Sequence, residues 1–310
     1  MTEHMPEGFL LNTPENIAKL SSKDAIYNCI KTGEIVEAPC IICDSKHNLI
    51  VDLGCMRGII PREDGALGIA EGLTKDIALI SRVNKPVCFT VKEITQDEFG
   101  NEYAVLSRKE AQTRCRDEFI RKLSAGDVIS ARVTHLEQFG CFVDIGCGIP
   151  SLIPIDLISV SRISHPSDRF SVGMDIKAVI KAFDGDRIFL SHKELLGTWE
   201  QNAVLFESGE TVTGIARSIE EYGIFVELAP NLAGLAEPRT DISVNQHVSV
   251  YIKAIIPEKM KIKLIIVNTA DRAIIHESKL NYFISSGHID RWVYSTEGCP
   301  KMIETDFTLL

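Results

Sequence analysis

A segment beginning at Gly126 reads Gly-Asp-Val-Ile-Ser-Ala-Arg-Val-Thr-His-Leu-Glu-Gln-Phe-Gly-Cys-Phe-Val-Asp-Ile-Gly. It returns from Gly209 as Gly-Glu-Thr-Val-Thr-Gly-Ile-Ala-Arg-Ser-Ile-Glu-Glu-Tyr-Gly-Ile-Phe-Val-Glu-Leu. A period of roughly 80 to 95 residues is too long for a solenoid unit and suits a small domain. A third, weaker copy starts at Gly33-Glu-Ile-Val-Glu-Ala. With 310 residues, 45% hydrophobic and 25% charged, the chain can fill three small cores. The repeat therefore predicts three domains strung like beads.

Within the second copy the alternation is that of strands. Period two puts Cys141, Val143 and Ile145 on one face and Phe142 and Asp144 on the other. The same rule buries Ile176, Ala178 and Ile180 and turns Lys177, Val179 and Lys181 outward. It buries Ile188 and Leu190 and exposes Arg187 and Phe189, with Asp184-Gly185 as the hairpin turn between the two strands. Short strands around one irregular stretch, Asp156 to Val172, describe a five-stranded barrel. Helices are predicted before each copy. Ser22 caps one that Gly33 stops, and Ser107-x-x-Glu110 and Ser191-x-x-Glu194 read as capping boxes opening connectors that run to Lys122 and Phe206. The expected boundaries are a helical segment at 1–32, domains at 33–107, 124–191 and 208–268, connectors at 108–123 and 192–207, and a tail at 269–310, in a jointed assembly.

The motif from Gly126 to Gly146, followed by Ser151-Leu-Ile-Pro154 and closed by Asp186-Arg-Ile-Phe-Leu-Ser191, resembles the S1 RNA-binding domain, an OB-fold barrel. With the helical connectors and the segment Arg162-Ile-Ser-His-Pro-Ser167, the chain resembles the bacterial ribosomal protein S1 family from about Gly33 to Val267. The expected fold is all-β repeats with helical connectors: three tandem five-stranded OB-fold (S1-type) barrels. The resemblance implies a cytoplasmic protein that binds single-stranded RNA and brings mRNA to the 30S ribosomal subunit during initiation.

Phe142 lies opposite the core face of its strand, where an exposed ring gains stability only if something covers it, and nucleobases stack on such rings. Phe139 and Phe142 are the leading candidates in the second domain, with Phe189 and the cations Lys177, Lys181 and Arg187 on nearby outward positions. In the third, Tyr222, Phe225, Tyr251, Lys253 and Lys261 recur at positions that contact RNA in the family. The histidine that often follows Gly-Leu-x in the family is replaced by Pro61, Pro154 and Glu237, so that contact is absent from every copy, and Glu237 weakens the third surface. In the first copy the aromatic positions become His47 and Ile50 while the core alternation Leu49, Val51, Leu53 survives. Tyr103 still matches Arg187, but Glu34, Glu37, Asp52, Glu63 and Asp64 oppose RNA, and a docking role is expected.

A net charge of -10 argues against coating duplex DNA by bulk attraction, though not against stacking on single strands. The longest apolar run, Ile252 to Val267, is interrupted by charges, and the start lacks the plan of a signal peptide, so no membrane partner is expected. Nine cysteines in strand-like patterns read as buried thiols in a reducing compartment, including Cys40-Ile-Ile-Cys43. No nucleotide-binding, zinc-protease or hydrolase motif is present, and Asp184-Gly-Asp186 reads as a turn rather than a magnesium site. The chain is thus expected to be no enzyme, with no catalytic residue, cofactor or metal. The basic connector Arg108, Lys109, Arg114, Arg116, Arg121, Lys122 is read either as an RNA track or as a solvated helix face. Rival readings are an RNA chaperone or regulator acting off the ribosome, a protein-binding scaffold, and a metal-dependent nuclease. The tail residues Arg272, His276, Lys279, Tyr282, Phe283, His288, Arg291 and Trp292 suggest no mechanism.

Overall fold

The computed structural model describes residues 4–185, 187–269 and 280–309. Asp186 and the tail positions Arg272, His276 and Lys279 lie outside them. Two short helices come first: α1 (Pro14–Leu20), capped by Thr13, and α2 (Lys23–Thr32), capped by Ser22 and ended by Gly33 in the left-handed region at φ 63°. Three closed barrels follow. The first holds β1 (Val36–Cys43), β2 (Leu49–Asp52), β3 (Arg57–Ile60), β4 (Pro86–Gln96) and β5 (Glu102–Ser107), with the short helix α3 (Ile77–Ile80) before β4. The second holds β6 (Val128–Glu137), β7 (Gly140–Asp144), β8 (Pro150–Pro154), β9 (Asp175–Asp184) and β10 (Arg187–Ser191). The third holds β11 (Thr211–Glu220), β12 (Gly223–Ala229), β13 (Leu232–Ala236), β14 (His247–Ile256) and β15 (Lys261–Thr269). In each, the fifth strand slots between the third and fourth and runs parallel to the third, which closes the barrel and removes its edges.

The chain divides into two compact units. One runs through Leu123 and takes in Ser130–Arg132 and Asp144–Pro150; the other holds the remainder. In the first unit, Arg108 opens α4 (Arg108–Arg114), which continues through tighter and wider turns to Lys122. Arg108 is buried against the Glu7 carboxylate at 2.6 and 3.0 Å, and its neighbours pair locally: Lys109 with Glu71, Arg114 with Glu110, and Arg116 and Arg121 with Asp117. These pairings favour the solvated-face reading of the connector over an RNA track. Glu37 is also buried, accepting three backbone N–H groups from Gly8, Leu10 and Leu11, and burial pushes its carboxyl up to about 7. It is therefore no part of an acidic outer face.

In the second unit, the connector after β10 departs from the expected single helix. Ser191 ends a strand, and its hydroxyl donates to the Glu194 carboxylate. A short turn at Lys193–Leu196 breaks at Gly197 (φ 83°), and helix α5 (Trp199–Ala203) starts afresh on a capping box of Thr198 and Gln201. Barrels two and three are not separate beads here. Val179, Leu195 and Trp199 join the core of barrel three, together with Trp292, Tyr294 and Phe307 of a terminal hairpin, β16 (Arg291–Val293) and β17 (Glu304–Asp306). Val179, read as outward, is consequently fully buried: it does point out of its barrel, but the tail and the connector cover it.

His192 sits wholly inside this unit. Its Nδ1–H donates to the Ile158 carbonyl at 2.8 Å, which leaves Nε2 to accept from the Tyr282 hydroxyl at 3.0 Å; that hydroxyl in turn accepts from the Lys177 N–H at 3.1 Å. Burial holds its pKa down from 6.5 to about 4. The unfolded chain therefore binds this proton first, and stability is lost as pH falls from 6.5 toward 4, by on the order of 3 kcal/mol. Urea midpoints measured between those limits should fall more steeply for the native chain than for His192→Gln; equal slopes would mean that the ring is not held neutral.

Candidate nucleic-acid interface

The Phe139-Gly-Cys-Phe142 motif works because of its glycine. A Cβ on Gly140 would lie 2.5 Å from the Ile153 carbonyl oxygen, and one on Gly223 would lie 2.5 Å from that of Ala236. The second strand can therefore press against the third only where a side chain is missing. That approach leaves the two aromatic rings of each motif edge to face on the outer wall. The centroids of Phe139 and Phe142 are 5.9 Å apart at 89°, and those of Tyr222 and Phe225 are 6.2 Å apart at 89°. The outer ring of each pair is open to solvent, Phe139 at 57% and Tyr222 at 66%, while the inner ring is half-buried. Below them Cys141 and Val143, and Ile224 and Val226, are buried in the barrels, as the alternation requires.

Sheet register sets what stands beside the rings. In barrel three, Phe225 is opposite Leu235, and Leu235 is opposite Lys263. Lys261, Lys263 and Ile265 all face out from β15; Tyr251 is opposite Ile265, and Lys253 is exposed at a bulge. In barrel two, Leu152 is opposite Phe189, which is half-buried, and Arg187 is exposed at the start of β10. In barrel one the row that corresponds to Phe225, Leu235 and Lys263 is Ile50, Ile59 and Val105. Ile42, which projects from the adjoining strand, is half exposed, and His47 sits in a left-handed turn 3.7 Å from the Asp76 carboxylate.

Lys177 and Lys181 do not stand free beside the aromatic pair. Lys181 lies over the Phe307 ring at 5.4 Å, and burial there lowers the pKa of its ammonium; the backbone of Lys177 is tied to Tyr282. The tail thus occupies the outer face of β9. Lys263 is a further outward cation, as the spacing Lys261, Lys263, Ile265 on an alternating strand requires. Arg187, Lys253, Lys261 and Lys263 are exposed cations on these walls among the described residues.

Residues 122–193 match the family model described as the S1 RNA binding domain. Among curated proteins, the small ribosomal subunit protein bS1 of Staphylococcus aureus (strain COL) is 30% identical over 262 residues, covering 74% of this chain and 64% of that protein. Its counterpart in Staphylococcus haemolyticus (strain JCSC1435) is 28% identical over 294 residues, covering 89% of this chain and 72% of that one. That of Leuconostoc lactis is 33% identical over 210 residues, covering 66% and 46%. The chain thus spans a little under two thirds of the length of the Staphylococcus aureus relative. Three closed five-stranded barrels thus share one strand order, the second matches the S1 RNA binding domain, and the chain is similar to small ribosomal subunit protein bS1 over most of its own length.

Proposed function

We propose that barrels two and three hold single-stranded RNA by stacking bases on Phe139 and Phe142 and on Tyr222 and Phe225. Arg187, Lys253, Lys261 and Lys263 neutralise a few phosphates, and Tyr251 and Phe189 flank the path. The observation that carries this reading is the recurrence of one edge-to-face ring pair, outer ring open, on two barrels with different surroundings. A folded surface keeps two adjacent large rings in water at a cost unless a ligand covers them. The first barrel, whose matching row is aliphatic, takes no base and serves for docking or as scaffold. By kinship with the bS1 proteins the chain works beside the 30S subunit, presenting mRNA for initiation in the cytoplasm; it is not an enzyme. Among the described residues no helix is long and apolar enough to cross a membrane.

Fluorescence anisotropy of a labelled RNA of about 20 nucleotides tests this. About four phosphate contacts predict that log affinity falls with log salt with a slope near -3. No binding at low salt, or equal affinity for a fully paired duplex, would refute the stacking mode. Sedimentation with isolated 30S subunits then separates ribosomal action from that of a free RNA chaperone.

A further inference from the structure

Away from the barrel walls, one group of metal-ligating side chains converges in the first unit. His4, Cys115 and Cys147 each offer a ligand atom, and these atoms all lie within 4.8 Å of one another. Cys88 of β4 is buried as well but falls outside this group. Both sulfurs of the group belong to buried residues, and His4 is half-buried. The imidazole Nε2 is enclosed without a hydrogen bond among the described residues; the nearest carboxylate oxygen, from Glu118, is 3.6 Å away. A ring nitrogen shut off from water in this way lacks the partner that buried polar atoms ordinarily have.

The backbone is shaped around the same point. Cys147 adopts φ 49°, a left-handed conformation uncommon outside glycine. The Asp144 carboxylate holds the turn by accepting from the Gly146 and Gly148 N–H groups at 2.8 and 3.0 Å, and the Cys147 N–H donates to the Met5 carbonyl at 3.0 Å. At Gly146 a Cβ would fall 2.8 Å from the Cys115 sulfur and 2.7 Å from the His4 carbonyl oxygen. The turn therefore carries no side chain where the sulfurs and the N-terminal segment meet.

We propose that His4, Cys115 and Cys147 form a zinc site, which staples residues near His4 to the connector after α4 and to the turn after β7. Two thiolates and one imidazole are donors that zinc takes, with the fourth tetrahedral position open to water. The three side chains come from well-separated stretches, so no short Cys-x-x-Cys spacing announces the site. Cys40 and Cys43, which do have that spacing, are not part of the group.

The test uses the full chain, purified reduced and without a histidine tag. Elemental analysis after dialysis should find about one zinc per chain, and replacement by Co2+ should give the intense thiolate charge-transfer and visible bands of a tetrahedral site. Cys115→Ser and Cys147→Ser should each weaken metal affinity by about 100-fold or more, while Cys299→Ser leaves it unchanged. His4→Ala, at a terminal segment where misfolding is a lesser concern, should weaken affinity and shift the cobalt bands. A fully reduced native chain that gives no tetrahedral cobalt spectrum overturns the proposal. So does cobalt binding that survives Cys115→Ser and Cys147→Ser, or a disulfide among these cysteines in place of metal. RNA affinity measured alongside is independent of every one of these readouts.

Discussion

Replacing Phe139 and Phe142 together by alanine is expected to weaken binding of a single-stranded RNA of about 20 nucleotides by roughly 2–4 kcal/mol, or about 30- to 1,000-fold, since each ring that takes a base contributes ~1–3 kcal/mol. The fold should survive, because Phe139 is mostly in water and Phe142 lies on the wall opposite Cys141 and Val143. Tyr222→Ala/Phe225→Ala should act in the same direction but less strongly, since Glu237 stands exposed just past the end of β13 and repels phosphate. Length separates the two barrels. A strand of about six nucleotides fills one site, so only one pair of substitutions matters; a longer strand reaches both, and the second site then adds through effective concentration rather than new contacts. All four substitutions together should leave only weak, salt-sensitive binding. Anisotropy titrations of the four chains decide it: affinities all within about twofold of one another would remove the rings from the interface.

The barrels were legible in the sequence because their cores obey a local rule. Cys141, Val143 and Ile145 alternate with Phe142 and Asp144, and the structure buries the first three. Asp144 is buried as well, which alternation alone does not foresee; its carboxylate is consumed by turn N–H groups and by the Glu7 N–H at 2.7 Å. What was illegible depends on partners far along the chain. Nothing within ten residues of Val179 or Lys181 reports that Phe307 and Leu195 will pack on that face. The capping box at Ser191 misled for a different reason. Its serine completes a strand and spends its hydroxyl on Glu194, whereas Gly197, visible in the sequence, breaks the helix that the box seemed to open. The outward position of Lys263 and the ring pairs Phe139–Phe142 and Tyr222–Phe225 on the outer walls were legible, the pairs because one motif repeats at a domain-sized interval.

Glu227→Ala should destabilise the second unit by about 3–5 kcal/mol, among the largest single-residue effects expected in this chain. Glu227 projects from β12 and accepts from both terminal nitrogens of Arg169 at 2.7 Å and from Arg217 Nε at 3.0 Å, with all three side chains almost wholly buried. Arg217 also reaches Asp168 at 3.5 Å. Arg169 and Asp168 belong to the irregular stretch of barrel two, so this carboxylate binds the two barrels to each other. Asn231 adds a second tie, accepting from the Val160 N–H at 2.9 Å and donating to the Lys193 and Gly197 carbonyls. Removing Glu227 leaves the buried Arg169 guanidinium without its carboxylate and Arg217 with only Asp168 and Asn245, whereas Arg169→Met with Glu227→Leu removes the charge left unpaired and should cost less. Fluorescence-monitored urea unfolding reads this unit selectively, because both tryptophans, Trp199 and Trp292, lie in its core. The consequence for RNA follows from the same contact. If Glu227 fixes barrel three against barrel two, Glu227→Ala should also lower affinity for the long RNA while sparing the short one, since only the long strand depends on the two ring pairs being held together. A loss below about 1 kcal/mol, with long-strand affinity intact, would mean that the barrels engage RNA as independent modules.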